Sequence, residues 1–215
     1  GYVREGFAFR DLRQAGNDRK RLPILRVNAL KMPVVLDRNY LRPLIYLFCS
    51  GGLMDALTEL AAQLGRQLLA RRAQVCTAES CTGGGIAEAI TRVAGSSAWF
   101  EAGYVTYSNR QKTAQLNVPL QLFDSVGAVS REVVEAMVRG ACQHSGAQYG
   151  VAVSGIAGPE GGTPQKPVGT VWLACSVDGQ VSSRCCHFSG DRAQVRWQAV
   201  QAALQELLRL SAEPL

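Results

Sequence analysis

From Asp55 onward the chain switches between two hydrophobic rhythms. Leu57, Leu60, Ala61, Leu64, Leu68 and Leu69 recur at three- and four-residue steps, which predicts a helix with one apolar face ending at Arg71-Arg72. Basic residues there suit the negative end of the helix dipole. Ala73 to Ala78 is a short apolar run and predicts a buried strand, after which Gly83-Gly84-Gly85 opens a second helix through Ile86, Ala89, Ile90 and Val93 to a stop at Gly95. Ala102 to Tyr107 predicts another strand, with Asn109 as the cap of a short helix running through Leu116. Ser130 has the form of a capping residue for a helix carried by Val133, Val134, Met137, Val138 and Ala141 to about His144. Tyr149 to Ser154 predicts an apolar strand, and a Gly/Pro-rich loop runs from Gly155 to Val168. Gly169 to Val177 and Val181 to Phe188 flank Asp178-Gly179, a two-residue hairpin signal. Val195, Ala199, Ala202, Ala203 and Leu207 give the last helix, Asp191 to Leu210, its buried side.

The predicted order, α-β-α-β-α-α-β-β-β-α, belongs to the α/β class: a mixed sheet with helices on both faces and one antiparallel hairpin at an edge. Before Gly51-Gly52 no periodicity is sustained. Residues 1 to 53 are therefore read as a basic N-terminal extension, disordered or foreign to the fold, and residues 54 to 215 as the folded unit. A basic arm for an anionic partner is the alternative.

Charge sharpens that division. The net charge of +6 arises wholly in residues 1 to 53, which hold 10 Lys/Arg against 4 Asp/Glu, while residues 54 to 215 hold 13 of each. A neutral domain without a basic stripe is not built to neutralise phosphates, so no nucleic-acid partner is expected. The longest apolar run near the N-terminus, Leu44 to Cys49, falls far short of the roughly 18 to 20 residues a membrane span needs, so no membrane partner is expected either. Seven cysteines (49, 76, 81, 142, 175, 185 and 186) are odd in number and form no C-x-x-C pair, which argues against a disulfide framework or a zinc ribbon. Reduced thiols point to the cytoplasm, and no metal site is expected.

Ligands of α/β folds collect where a strand ends and a Gly-rich helix start begins, because free backbone N–H groups face outward there. Two loops have that form: Glu79-Ser-Cys-Thr-Gly-Gly84 and Ser154-Gly-Ile-Ala-Gly-Pro-Glu-Gly-Gly162. Neither matches a nucleotide P-loop or a dinucleotide fingerprint. A serine in the first turn can act as a nucleophile if a base takes its proton. Histidine is scarce: His144 ends a helix and His187 lies inside a strand, so a Ser/His/Asp triad has little to draw on. After residue 54 only Lys112 and Lys166 stand against 11 arginines, and only lysine yields its proton usefully when desolvated. Lys112 follows a strand end bearing Tyr107 and Asn109, so Ser80, Lys112 and Tyr107 form the economical set. Cys81 is the rival nucleophile, with Glu79 and Lys112 as partners; its bland alternative is a small buried apolar residue.

The runs TAESCTGG (77 to 84), AGSSAWFEAGYVTYSNRQK (94 to 112), GAVS (127 to 130), VSGIAGPEGGTPQKPVGTVW (153 to 172) and FSGDR (188 to 192) closely resemble the C-terminal domain of the competence-damage protein CinA in its stand-alone amidohydrolase form. The resemblance spans essentially all of residues 54 to 215. It implies a three-layer α/β/α fold, often a homodimer, with no required cofactor. The implied reaction is hydrolysis of the carboxamide of nicotinamide mononucleotide to the acid and ammonia, within pyridine-nucleotide recycling. It also implies that Ser80 is the nucleophile, with Lys112 and Tyr107 in support. On that expectation the N–H groups of Thr82, Gly83 and Gly84 hold the oxyanion. Ser154, Gly155, Gly158 and Arg192 are candidates for the ribose phosphate, and Glu79, Cys81 and Asn109 complete the expected substrate contacts. Arg192 would carry an unfavourable charge in the first turn of a helix unless an anion sits nearby. The other class of function is a non-catalytic nucleotide-binding module. The longer CinA proteins carry a further nucleotide-processing domain, and residues 1 to 53 are too short and too unlike it to add a pyrophosphatase activity.

Overall fold

Among the described residues there are five strands and six helices, and all but one short helix follow the hydrophobic rhythm. The computed structural model describes residues 56 to 212, and the reading of residues 1 to 53 lies outside them. The strands are β1 (Val75–Glu79), β2 (Phe100–Val105), β3 (Tyr149–Gly155), β4 (Thr170–Val177) and β5 (Gln180–His187), in spatial order β2-β1-β3-β4-β5. β1 runs parallel to both β2 and β3, whereas β3, β4 and β5 are antiparallel in turn, so the sheet is mixed and the hairpin sits at its edge. Asp178 and Gly179, with φ of 48° and 82°, make the two-residue turn in the left-handed conformation that matches strand twist.

Helices α1 (Ala56–Arg71), α2 (Gly85–Thr91) and α6 (Arg192–Ala212) cover one face; α3 (Asn109–Leu116), α4 (Leu120–Ser125) and α5 (Arg131–Ser145) lie on the other. The result is a three-layer α/β/α sandwich. Side chains alternate across a strand, so the central strands feed both layers. Val75 joins the α1/α2/α6 core, while Cys76 and Ala78 join the α3/α5 core. A buried Trp99 packs on α1 at Gly65, where an added Cβ would lie 2.7 Å from the indole ring. Burying an indole is worth about 2–3 kcal/mol, more than the roughly 1 kcal/mol a mid-helix glycine costs.

Several boundaries differ from the sequence expectation. β2 begins and ends two residues earlier than Ala102 to Tyr107. It starts beside Trp99, whose carbonyl accepts from Val75 N at 2.8 Å, and leaves the sheet after Thr106 N donates to Glu79 O at 2.9 Å. Ser108, not Asn109, caps α3: its side chain accepts from Gln111 N, and Asn109 is the first helical residue. α2 stops at Thr91 rather than near Gly95, which instead leads into a 3₁₀ turn at Ser96–Ala98. α4 was not predicted, because six residues are too short for periodicity to show. Ser130 caps α5 as expected, accepting from Val133 N at 3.4 Å.

α5 crosses the C-terminal end of α3 at Gly140, where any Cβ would be driven into the Leu116 main chain. A backbone obstacle cannot rotate away. Gly140→Ala is therefore expected to destabilise the domain by about 2 kcal/mol or more, despite alanine's better helix propensity, as a lowered midpoint in urea unfolding.

Candidate active site

Ser80 follows the last residue of β1, the strand flanked on both sides by parallel neighbours, at the carboxyl ends where α/β folds open a crevice. Strand alternation separates it from its neighbour. Ser80 continues the Cys76/Ala78 side of the strand and faces α3; Glu79 points the other way, beneath the start of α2. There Glu79 is wholly buried, and its two carboxylate oxygens accept from Ile86 N (3.0 Å) and Ala87 N (2.9 Å). Expected among the substrate contacts, Glu79 is instead occupied in holding the helix start, where two backbone donors lack helical partners.

Lys112, in the first turn of α3, is only 1% exposed. Its Nζ lies 3.0 Å from Ser80 Oγ, 2.9 Å from the Thr106 carbonyl and 3.0 Å from the Tyr107 carbonyl. Burial strips water from the ammonium and lowers the pKa of Lys112 to about 8, against an opposing pull from Cys81. Three partners suit either protonation state. A neutral amine donates its two hydrogens to the carbonyls and aims its lone pair at the Ser80 hydroxyl.

Cys81 turns toward α6 and packs with Ala157, Val171, Val195 and Ala199. Burial, with the Glu79 carboxylate adding to it, pushes the thiol up to about 11, against opposing pulls from its own main chain, Lys112 and Arg196. That environment suits a protonated, packed thiol rather than a thiolate.

The turn itself is held from α6 by a residue that sequence reading passed over. Arg196 Nε donates to Cys81 O at 3.1 Å and its Nη2 to Thr82 O at 2.9 Å. A trans peptide points its N–H opposite its C=O, so pulling the Cys81 carbonyl toward Arg196 turns the Thr82 N–H away from it. The N–H groups of Thr82 and Gly84 have no acceptor among the described residues, whereas Gly83 N is spent on Ser80 O at 3.1 Å. Gly84 sits at φ 93°, a conformation L-residues adopt only under strain. The four-residue step from Arg192 to Arg196 was the available signal, since it places both guanidinium groups on one helical face.

Arg192 reaches the second loop and the end of β2 together: Nη1 donates to Gly158 O at 3.0 Å and Nη2 to the Tyr107 hydroxyl at 3.1 Å. Tyr107 is 62% exposed, so its ring borders the site while its carbonyl holds Lys112. Asn109 is exposed at the start of α3. Ser154 is buried and donates to Ala128 O at 2.8 Å, which ties β3 to the segment before α5. Gly155 and Gly158 are required by packing: a Cβ at either would come 2.6 Å from Val171 or Val168 respectively. Lys166 staples the same loop, donating to Val126 O and Val129 O at 2.8 Å each. Among the described residues no group of three or more His, Cys, Asp or Glu side chains could hold a metal ion, and no helix is long and apolar enough to cross a membrane.

The three-layer α/β/α domain that carries this serine and lysine matches one known family along most of the chain. The chain belongs to the CinA C-terminal domain family, whose model matches residues 57–211. Its relatives include the nicotinamide-nucleotide amidohydrolase PncC of Pseudomonas putida, 67% identical over 160 residues, 74% of this chain and 100% of that protein. PncC of Escherichia coli strain K12 is 52% identical over 152 residues, 70% of this chain and 92% of that protein. Among solved structures, a CinA superfamily protein from Klebsiella pneumoniae 700603 superposes with a TM-score of 0.71 at 38% identity, covering 74% of this chain and 99% of that one. The competence/damage inducible protein CihA from Agrobacterium tumefaciens gives a TM-score of 0.70 at 42% identity, over 72% and 94% of the two chains.

Proposed function

We propose that residues 54 to 215 form an amidohydrolase that converts nicotinamide mononucleotide to nicotinate mononucleotide and ammonia, with Ser80 as nucleophile and Lys112 as base. The names of the PncC relatives support the substrate class. The observation that carries the chemistry is the 3.0 Å contact between Ser80 Oγ and Nζ of the buried Lys112. A binding module has no use for a nucleophile set against a desolvated amine.

In this reading neutral Lys112 takes the Ser80 proton as the serine oxygen attacks the carboxamide carbon. Thr82 and Gly84 N–H groups receive the developing oxyanion. The Lys112 ammonium then hands its proton to the amide nitrogen, the C–N bond breaks, and ammonia departs to leave an acyl-serine. Water, deprotonated by Lys112, attacks the ester carbon; the serine oxygen leaves with the returned proton, and the free acid is released. Tyr107 assists through the carbonyl that orients Lys112, and Arg192 carries the cationic charge that favours the substrate phosphate beside the Gly158 loop.

Ammonia release compared across nicotinamide, its riboside, its mononucleotide and the dinucleotide tests this directly. Release from the mononucleotide above all is the expected result, and none from any of the four overturns the reading. The pH dependence follows from Lys112. With a pKa near 8, about a tenth of the lysine is neutral at pH 7. The active form gains as protons are removed, so kcat/KM is expected to climb up to tenfold per pH unit below about pH 8 and to level off above it.

A further inference from the structure

At the other end of the sheet from Ser80, two cysteines meet over a gap in the strand surface. Cys76 of β1, Gly150 of β3 and Ser176 of β4 stand side by side in register on the face covered by α5. Cys142 of α5 comes down onto that row, and its Sγ lies 3.7 Å from Cys76 Sγ. Glycine is what admits it: a Cβ at position 150 would collide with Cys142 Sγ and come within 3.3 Å of Cys76 Sγ. Cys76 is wholly buried, but Cys142 is partly open and lines a recess of about 470 Å³ together with Arg139, Gln148, Ser176 and Asp178. The two sulfurs therefore differ in access, one reachable from solvent and the other held behind it.

We propose that Cys142 and Cys76 form an oxidation site in which a small hydroperoxide entering this recess converts the pair to a disulfide linking α5 to β1. Cys142 reacts first. The neighbouring Cys76 thiol lowers its pKa from the ordinary thiol value, with Ser176 adding to the effect and burial opposing it, and the net shift favours the thiolate that attacks peroxides. The hydrogen bond to Cys142 and burial hold Cys76 in its protonated form until then. The Cys142 sulfur attacks one peroxide oxygen, the O–O bond breaks, and the other oxygen leaves as alcohol, or as water from hydrogen peroxide. Cys142 is now a sulfenic acid. The Cys76 sulfur attacks the Cys142 sulfur and expels the hydroxyl, which departs as water with the Cys76 proton. Two thiols and one hydroperoxide thus give one disulfide, one alcohol and one water. The sulfurs must close from 3.7 Å to about 2.05 Å for the bond to form.

The test treats the full chain with a small excess of hydrogen peroxide, then maps its peptides without reduction. The expected product is a peptide pair joining Cys76 to Cys142, lighter by about 2 Da than the two thiol peptides and separated again by dithiothreitol. In a Cys76→Ala variant the resolving thiol is gone, and dimedone is expected to trap the sulfenic acid on Cys142. Because that variant alters the core, the wild-type peptide map decides. Recovery of Cys76 and Cys142 as free thiols, or oxidation confined to the edge-strand residues Cys185 and Cys186, overturns the proposal.

Discussion

Ser80→Ala is expected to lower kcat/KM for the nucleotide amide by about a thousandfold or more while leaving the fold unchanged. Ser80 contributes little to packing: it is half-buried and lies outside both large cores, so far-ultraviolet circular dichroism and the thermal midpoint should match the parent. What disappears is the oxygen proposed to form the acyl intermediate, and on that reading the lysine behind it has nothing to activate. Cys81→Ala is the paired control. Its thiol sits in an apolar cluster with its pKa near 11, so truncation should cost some stability and leave the rate within about tenfold. Ammonia release by the two purified variants decides between them. Full activity in Ser80→Ala together with an inactive, folded Cys81→Ala would move the nucleophile by one residue and, through strand alternation, to the opposite side of β1.

Removing the proposed base gives the second large effect. Lys112→Met keeps the length of the side chain and its burial but has no lone pair for the serine proton, so kcat is expected to fall by about 10²–10⁴ with a smaller change in KM. The rate limb near pH 8 should vanish with it, because no group of that pKa remains beside Ser80. Lys112→Arg is the sharper companion. A guanidinium keeps the positive charge and the hydrogen bonds to the Thr106 and Tyr107 carbonyls, yet it does not become neutral in the working range. An electrostatic role for Lys112 predicts an active arginine variant; a base predicts an inactive one. Full pH–rate profiles of wild type and both variants make the comparison.

The sequence singled out Ser80 and Lys112, which the fold brings to 3.0 Å from each other, and the reasons are physical. Scarcity did much of the selection: with two histidines in the chain and two lysines after residue 54, few bases were available to any nucleophile. The strand-turn-helix pattern around Glu79 to Gly84 then marked where ligands approach. Less legible were the tasks within that turn. Glu79, Ser80 and Cys81 are consecutive, and each is chemically able to serve, yet they go to a helix start, a lysine and an apolar pocket. Arg196 escaped notice because its partners are main-chain carbonyls more than a hundred residues away, which no side-chain motif records. α4 escaped because a helix of fewer than two turns has no measurable period.

The sequence by itself determined the local elements. Apolar spacing set the helices, the Asp178-Gly179 turn set the hairpin, and long family motifs set the architecture, because each depends on neighbours within a few residues or on whole-segment pattern. Tertiary structure decided the rest. Ser80 and Lys112 are 32 residues apart and meet only because β2 lies beside β1 and delivers α3 over the strand end. The lysine's lowered pKa has no counterpart in sequence at all. Desolvation depends on what covers the amine, and the cover is assembled from Thr106, Tyr107 and Ser80 only when the sheet forms.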